Sequence, residues 1–480
     1  MFLKKIKPTP EQRKVFFLEP NCPVLLSGRA GSGKTTTAIL RTAQLVNFYK
    51  RQGFLELKVG IFVFNNTLRN YLETLASITL DKVDYEVCVV DTWCHRFLIT
   101  NGLLLYNIAD EHTCKSCLNE AIKQAGLGSR HPEIIRFGYD FLIEEVNYLL
   151  GRFGLDLVKY IESERIGRGS CPEIYSSTKR AIAEELVPAY QLLLQELYYM
   201  DWNQLREQTL LYMRAGVEYD KYDILVVDEA QDLSALQIQI LLELISPDTN
   251  AITFIRDTTQ RIYKNNYIWN DINLTFNINS KLDLNKNYRN TKEIASVAAD
   301  LMKSASPDEN DINILEPDLA ETSGLKPTWI RGRYKDQVRY LLKQLNNINT
   351  NSDYVGILHV QAASVTGLAE SIRQSGHDCF ILRDEDNLNN TLGGIYISTL
   401  HSAKGLEFDH VFIIGYDDFF APGPHSLSHR LTSAHLSAHR KLLYTAITRA
   451  RKTLTITSSI NKYSPFLKEI NINLLNVINL

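Results

Sequence analysis

The chain has 480 residues, 45% hydrophobic and 22% charged, with a formal net charge of −3. That length suits about two to four domains with sizeable cores, and the near-neutral balance excludes a molecule-wide basic field, so any nucleic-acid surface must be a local groove. No run approaches the eighteen or so apolar residues of a membrane span; Met1–Pro10 carries Lys4, Lys5 and Lys7 but no apolar signal core, so the chain reads as cytoplasmic with no membrane partner.

In chain order, Thr9 can cap a helix whose first position is Pro10, where proline is tolerated. Gln12 then lies on the first turn, and its amide offers a donor and an acceptor to a purine edge; a solvated glutamine is the plain alternative. Val24-Leu25-Leu26 is a short apolar strand. It runs into Gly28-Arg29-Ala30-Gly31-Ser32-Gly33-Lys34-Thr35, which fits G-x-x-x-x-G-K-[ST], and Thr36–Phe48 continues with helical periodicity. Strand, glycine loop and helix form the context this motif requires. Gly31 and Gly33 let successive N–H groups point into one concavity, to which the helix adds its positive end. Lys34 can reach the β- and γ-phosphates, and the Thr35 hydroxyl can ligate Mg²⁺.

Val59–Phe64 and Glu86–Val90 read as two further buried strands, followed by Asn65-Asn66-Thr67 and by Asp91-Thr92-Trp93-Cys94-His95. Ligands sit at the C-terminal edge of strands in open α/β sheets. Asn66, Thr92, Trp93 and His95 can there bond phosphates or stack on bases, although a tryptophan or histidine at this place fits a core equally well. From about Phe97 to Leu210 helical periodicity takes over, with Phe141, Leu142, Val146, Leu149 and Leu150 on one stripe. Cys114 and Cys117, near His112, are the one close pair among seven cysteines. No second pair stands at zinc spacing, so small residues packing at a helix start compete with a metal role. Arg165-Ile-Gly-Arg168-Gly reads as a basic turn.

Lys221–Asp232, KYDILVVDEAQD, returns to strand. Ile224–Val227 is apolar on both faces, as a central parallel strand is, and places Asp228 and Glu229 at its tip. One carboxylate there can hold Mg²⁺ through water, and the next can deprotonate an attacking water. Ala251–Tyr263 repeats the scheme with Asp257 and Gln260 at the tip, while Tyr263 and Trp269 offer stacking faces. Lys303–Pro327 resembles a linker, after which strands and helices alternate as in a second parallel sheet. Thr399–Phe408, TLHSAKGLEF, joins two strands, and Thr448-Arg449-Ala450-Arg451 precedes strand Leu454–Thr457. Arginines on that edge reach a nucleotide held by the first half only if the halves face each other.

Gly28–Thr35, DEAQD at Asp228–Asp232, Asp257–Tyr263, Asn287-Tyr288-Arg289, Thr399–Phe408 and Tyr444–Ala450 occur in the order of UvrD/Rep-like superfamily 1 helicases, which the chain resembles over nearly its whole length. The resemblance implies an α/β fold with two RecA-like P-loop domains, parallel sheets and a helical insertion in the first. It implies a first core at 1–96 and 211–280, the insertion at 97–210 and a second core at 281–480. It also implies ATP and Mg²⁺ in the cleft, and 3′-to-5′ movement along single-stranded or 3′-tailed DNA.

Carried over by motif, Gln12 recognises adenine and Tyr288 stacks on it. Gly28, Gly31, Ser32, Gly33 and Thr36 line the nucleotide. Lys34, Thr35, Asp228 and Glu229 bind phosphates, place magnesium and activate water, and Gln231 and Gln260 sense the γ-phosphate. Arg289 and Arg449 act as arginine fingers, and Glu407 contacts the ribose. Asn66, Thr92, Tyr263, Thr399 and His401 line the DNA track, to which the reading of the residues adds Trp93, His95 and Trp269. Against the family pattern, Arg256 replaces a glycine, Asn265 stands where a tryptophan is usual with Trp269 displaced, and Thr36 replaces an arginine. Between Arg289 and Thr399 there is room for the second core's own strands, so the large arm domain of some relatives is expected to be missing. The roughly thirty residues after Arg451 are too few for a fused nuclease domain. A second reading is therefore a DNA-sensing ATPase with little unwinding of its own, regulating a partner such as a nuclease in repair or anti-phage defence. A small-molecule kinase stands third.

Overall fold

The computed structural model describes residues 8–28, 31–63, 66–80, 82–154, 156–163, 174–256, 274–284, 286–303, 316–382, 393–403, 406–417 and 433–480. Asp257, Gln260, Tyr263, Trp269, the Arg165–Gly169 turn, Lys404 and Gly405 lie outside them, as does the side chain of Asn66.

Strands β1 (Val24–Gly28), β2 (Lys58–Val63) and β3 (Asp84–Val89) come first, and helices Lys34–Arg51 and Asn66–Thr79 cross between them. A helical stretch follows, tied at its root by a two-stranded parallel ribbon of β4 (Asn107–Ile108) and β5 (Tyr199–Met200). Strands β6 (Ile224–Val227), β7 (Ala251–Arg256) and β8 (Lys281–Leu284) complete a six-stranded parallel sheet in the order β3-β2-β6-β7-β1-β8. Its apolar runs have a simple cause: the sheet is covered on both sides. Ile61, Ile224 and Val226 pack with Ala38 and Ile39 of the first helix layer. Their strand neighbours Phe62, Leu225 and Val227 point to the opposite layer, which includes Trp93, Leu205 and Leu241.

Beyond β8, the short strands β9 (Asn287–Thr291) and β10 (Ala320–Thr322) pair with each other. The second sheet is built from β11 (Thr328–Arg331), β12 (Tyr354–His359), β13 (Cys379–Ile381), β14 (Gly394–Thr399), β15 (Phe408–Ile414), β16 (Ala450–Ser458) and β17 (Asn476–Asn479). It has seven parallel strands in the order β13-β14-β12-β15-β16-β11-β17. Two parallel sheets with helices on their faces are the α/β architecture expected of two RecA-like cores. The helical stretch keeps a separate core around Leu118, Val146, Leu149, Tyr160 and Tyr190. Among the described residues no helix is long and apolar enough to cross a membrane.

Two expectations need correction. Lys281–Leu284 falls in the range assigned to the second core, yet β8 pairs with β1, Leu26 opposite Leu282, and closes the first sheet. β3 runs directly into a helix, Val90–Thr100. Its helical turn swings Trp93 inward, where the indole is buried and stacks on Phe97 at 5.4 Å with an interplanar angle of 9°, edge-on to Tyr219. Trp93 is therefore core, and its ring offers no face to a DNA base. Trp93→Ala should lower unfolding free energy by about 3–5 kcal/mol, measured by urea denaturation. Single-strand affinity of the folded fraction should match the parent's; a selective loss of binding at unchanged stability would restore Trp93 to the track.

Candidate functional site

Strand β1 ends at Gly28, and the loop beyond it turns through two left-handed glycines, Gly31 at φ 80° and Gly33 at φ 76°. Both are also places of close approach. A Cβ on Gly31 would lie 2.3 Å from Asn287 Oδ1, and one on Gly33 would lie 2.6 Å from Gln12 Nε2. The helix then begins at Lys34, so its unpaired N–H groups face the loop concavity. The Lys34 ammonium donates to the Gly28 carbonyl at 3.0 Å.

Residues distant in sequence meet next to it. The Thr35 hydroxyl donates to Asp228 Oδ2 at 2.8 Å, at the tip of β6. Burial, reinforced by the charge of Glu229, pushes the Asp228 carboxyl up to about 7, while Thr35 and Lys34 pull the other way. A buried carboxylate beside a hydroxyl, at a phosphate loop, suits a divalent cation that completes its shell with phosphate oxygens and water. Among the described residues no three His, Cys, Asp or Glu side chains gather as a metal-holding group, and Cys114 and Cys117 are both free. Glu229 is held in the left-handed region at φ 50°, a strain of about 1–3 kcal/mol for a non-glycine residue. Its N–H donates to Asp228 Oδ1 at 2.9 Å, and its carboxylate accepts from the Gln231 amide.

The opposite wall is the segment 286–290. Tyr288 N–H donates to the Gly31 carbonyl at 3.0 Å, and its hydroxyl donates to Thr9 Oγ1 at 3.1 Å. Gln12 lies under the same turn, its Oε1 accepting from Thr9 N and its Nε2 donating to the Ser32 carbonyl at 3.1 Å. Arg289 bonds the Glu407 carboxylate through one terminal nitrogen, while its Nε and Nη1 are buried without a hydrogen-bond partner. Two buried guanidinium donors without a partner are open to an anion, and the Arg289 Cβ would lie 2.7 Å from a Cβ on Gly31. Burial raises the Glu407 carboxyl, but Arg289 first, then Arg451 and Arg449, hold it below the usual carboxylate range.

The remaining expected residues are less uniformly placed. Ser32 is buried in the loop, and Thr36 is half-buried on the helix. Arg449 is 1% exposed and spends its guanidinium on its own half, donating to the Thr445 and Leu406 carbonyls at 3.0 and 3.2 Å and to Thr448 Oγ1. Thr92 is exposed and His95 half-buried on helix Val90–Thr100. Thr399 ends β14 with its Oγ1 against Ser402 at 3.0 Å, and His401 is exposed after it. Asn66 opens the helix Asn66–Thr79.

Three residues escaped the sequence reading. Buried Asn287 accepts from Arg289 N and Asn290 N, which forms the turn that aims Arg289. Asn290 in turn donates to the carbonyls of Thr448 and Ala450 at 3.1 and 2.5 Å. The N-x-x-N spacing, read as an asparagine turn, was the available signal. Arg41 is buried on the loop's helix and donates to the Val15, Leu18 and Glu19 carbonyls at 2.7, 3.1 and 2.6 Å, which fastens the segment behind Gln12. A buried arginine on a helix has no sequence signature.

The profile of the UvrD/REP helicase N-terminal domain matches residues 8–267, and that of the UvrD-like helicase C-terminal domain matches 381–461. A probable DNA helicase of Mycoplasma pneumoniae is 23% identical over 95% of this chain and 86% of that protein. The ATP-dependent DNA helicase UvrD1 of Mycobacterium leprae is 28% identical over 37% of this chain, which covers 24% of the relative. A probable DNA helicase II homolog of Rickettsia conorii is 40% identical over 17% of this chain and 12% of its own length. Apart from the Mycoplasma protein, these matches span less than two thirds of the relatives' lengths.

The Arg289–Glu407 pair predicts an acid limb in stability. A carboxyl whose folded pKa is depressed contributes stability that is present above its unfolded pKa and lost as the pH falls through the folded one. Glu407→Gln should therefore flatten the loss of unfolding free energy between roughly pH 5 and 3, measured by denaturation at stepped pH. An unchanged slope would show that Glu407 carries no such stabilisation.

Proposed function

The chain belongs to the UvrD/REP family of DNA helicases, and from that premise we propose that it hydrolyses ATP between its two sheets to move 3′ to 5′ along single-stranded DNA and separate the duplex ahead. One observation carries the reading: Arg289, whose Nε and Nη1 are buried without a hydrogen-bond partner, comes from a turn whose backbone packs directly on the glycine loop at Gly31.

In this reading Gln12 and Tyr288 hold the base, and Lys34 leaves the Gly28 carbonyl for the β- and γ-phosphates. Thr35 and Asp228 would hold magnesium, which supplies charge neutralisation on the phosphate oxygens. Glu229, released by Gln231, takes the proton of the attacking water. Arg289 then stabilises the charge that spreads over the transferring phosphoryl oxygens. Arg289 is better poised for this than Arg449, whose nitrogens must first leave three partners of their own half. Thr92 and His95 on the first half, and Thr399 and His401 on the second, serve as phosphate and base contacts. A cleft that closes on ATP and reopens after hydrolysis would shift one set relative to the other. Asn66, Gln260, Tyr263 and Trp269 are assigned to sensing and the track by motif alone.

ATP turnover with and without single-stranded DNA tests the reading. Lys34→Ala should abolish turnover, and near-normal activity would remove Lys34 from its role. Arg289→Ala should lower kcat by about 10²–10³ with little change in nucleotide KM, as loss of one transition-state donor does. A pure rise in KM would place Arg289 in ground-state binding. Duplexes with a 3′ tail should be displaced and those with a 5′ tail should not; the reverse preference would overturn the polarity.

A further inference from the structure

The carboxylate of Asp91, immediately before Thr92, is among the most densely bonded groups outside the nucleotide site. Arg206 grips it through Nε and Nη2 at 2.7 and 2.6 Å, and the Gln237 amide donates to it at 3.0 Å. Arg206 comes from the helical stretch and continues through Asn203 to Asn147, at 3.0 and 2.7 Å, which fastens that stretch to the first sheet. Gln237 does something different. It is the third residue of helix Ala235–Leu244, and its Oε1 accepts from Ser234 N at 2.9 Å, while Ser234 Oγ caps Gln237 N at 3.2 Å. One side-chain amide, 5% exposed, thus spans two segments. Its oxygen holds the helix cap that directly follows DEAQD, and its nitrogen holds the residue next to Thr92.

Only Leu233 separates Ser234 from the single turn Ala230–Asp232, which folds back on Glu229 through Asp232 N to Glu229 O at 2.9 Å. That turn also carries Gln231, whose amide occupies the Glu229 carboxylate. In this structure Glu229 and Gln231 are engaged, and the ATPase reading above requires them to part so that Glu229 can meet a water. We propose that Gln237 is a positioning residue that couples strand engagement at Thr92 to the parting of Glu229 from Gln231, so that DNA accelerates ATP hydrolysis through this bridge. The inference rests on the DNA-dependent ATPase reading above. It differs from a fastening role because the apolar core that includes Trp93, Leu236 and Leu241 already joins the two helices, and because the bridge ends on a cap rather than on a packed side chain.

Gln237→Glu separates the two functions of the amide. Glutamate at this position keeps the cap, since S-x-x-E is itself a capping box, and once ionised its carboxylate repels Asp91 instead of donating to it. Its DNA-free turnover should stay near the parent's, while its thermal midpoint should fall as the pH rises and the buried like-charge pair ionises. Its acceleration by single-stranded DNA should fall by about tenfold, within the range of ordinary site-to-site couplings, while strand affinity changes by less than about threefold. Gln237→Met, which loses both bonds, should show the same loss of acceleration and keeps the test available if the first variant folds poorly. Variants accelerated as strongly as a responsive parent would overturn the bridge alone. A parent whose turnover ignores DNA would overturn the ATPase reading, and the bridge with it.

Discussion

The nucleotide site depends on how closely the Asn287 turn approaches the glycine loop. Any side chain at Gly31 would collide with Asn287 Oδ1, and the same turn is bonded through Asn290 to the Thr448 and Ala450 carbonyls on the other flank. It therefore fixes the distance between a helix start that favours anions and an edge that carries cations.

Those charges are balanced locally in a chain that is nearly neutral overall. Asp228 and Glu229 stand at the tip of β6, with Lys34 and the Thr35 hydroxyl against them. Glu407 is held by Arg289 and influenced by Arg449 and Arg451. Removing one member of a buried pair is costly because it strands the other in a poorly solvated place. The two open nitrogens of Arg289 are the part of this arrangement with capacity left for an anion. The strained backbone of Glu229 is likewise held by its surroundings: its own N–H bonds Asp228, and its carboxylate bonds Gln231.

The first sheet is more than a platform for the loop. Its helix Val90–Thr100 buries Trp93 and Phe97 on one side and presents Asp91 to Arg206 and Gln237 at its start. A polar network satisfied at this density is rigid, because every partly bonded alternative leaves a buried donor or acceptor unpaired. It joins three segments that lie far apart in sequence: the end of β3, the helical stretch and the helix after DEAQD.

The amino-acid sequence by itself determined the strands and the local chemistry. Short apolar runs at Val24, Val59 and Ile224 are legible because a parallel sheet buries both faces, and the glycines with Lys34 and Thr35 are legible because a phosphate loop is a local turn. The roles of Asn290, Arg41 and Gln237 were not legible, because each has a partner tens to hundreds of residues away and any exposed polar residue reads the same. Trp93 failed for the complementary reason: an aromatic at a strand end suits a stacking face or a core, and the helix beginning at Val90 turned it inward. β8 was assigned to the wrong half because a boundary read from motif order cannot show which sheet edge has room for one more strand. Only the tertiary structure decided which arginine keeps unpartnered donors. Arg289 and Arg449 carry equal charge, and what separates them is that backbone carbonyls have claimed one guanidinium while the other retains buried donors with nothing to bond.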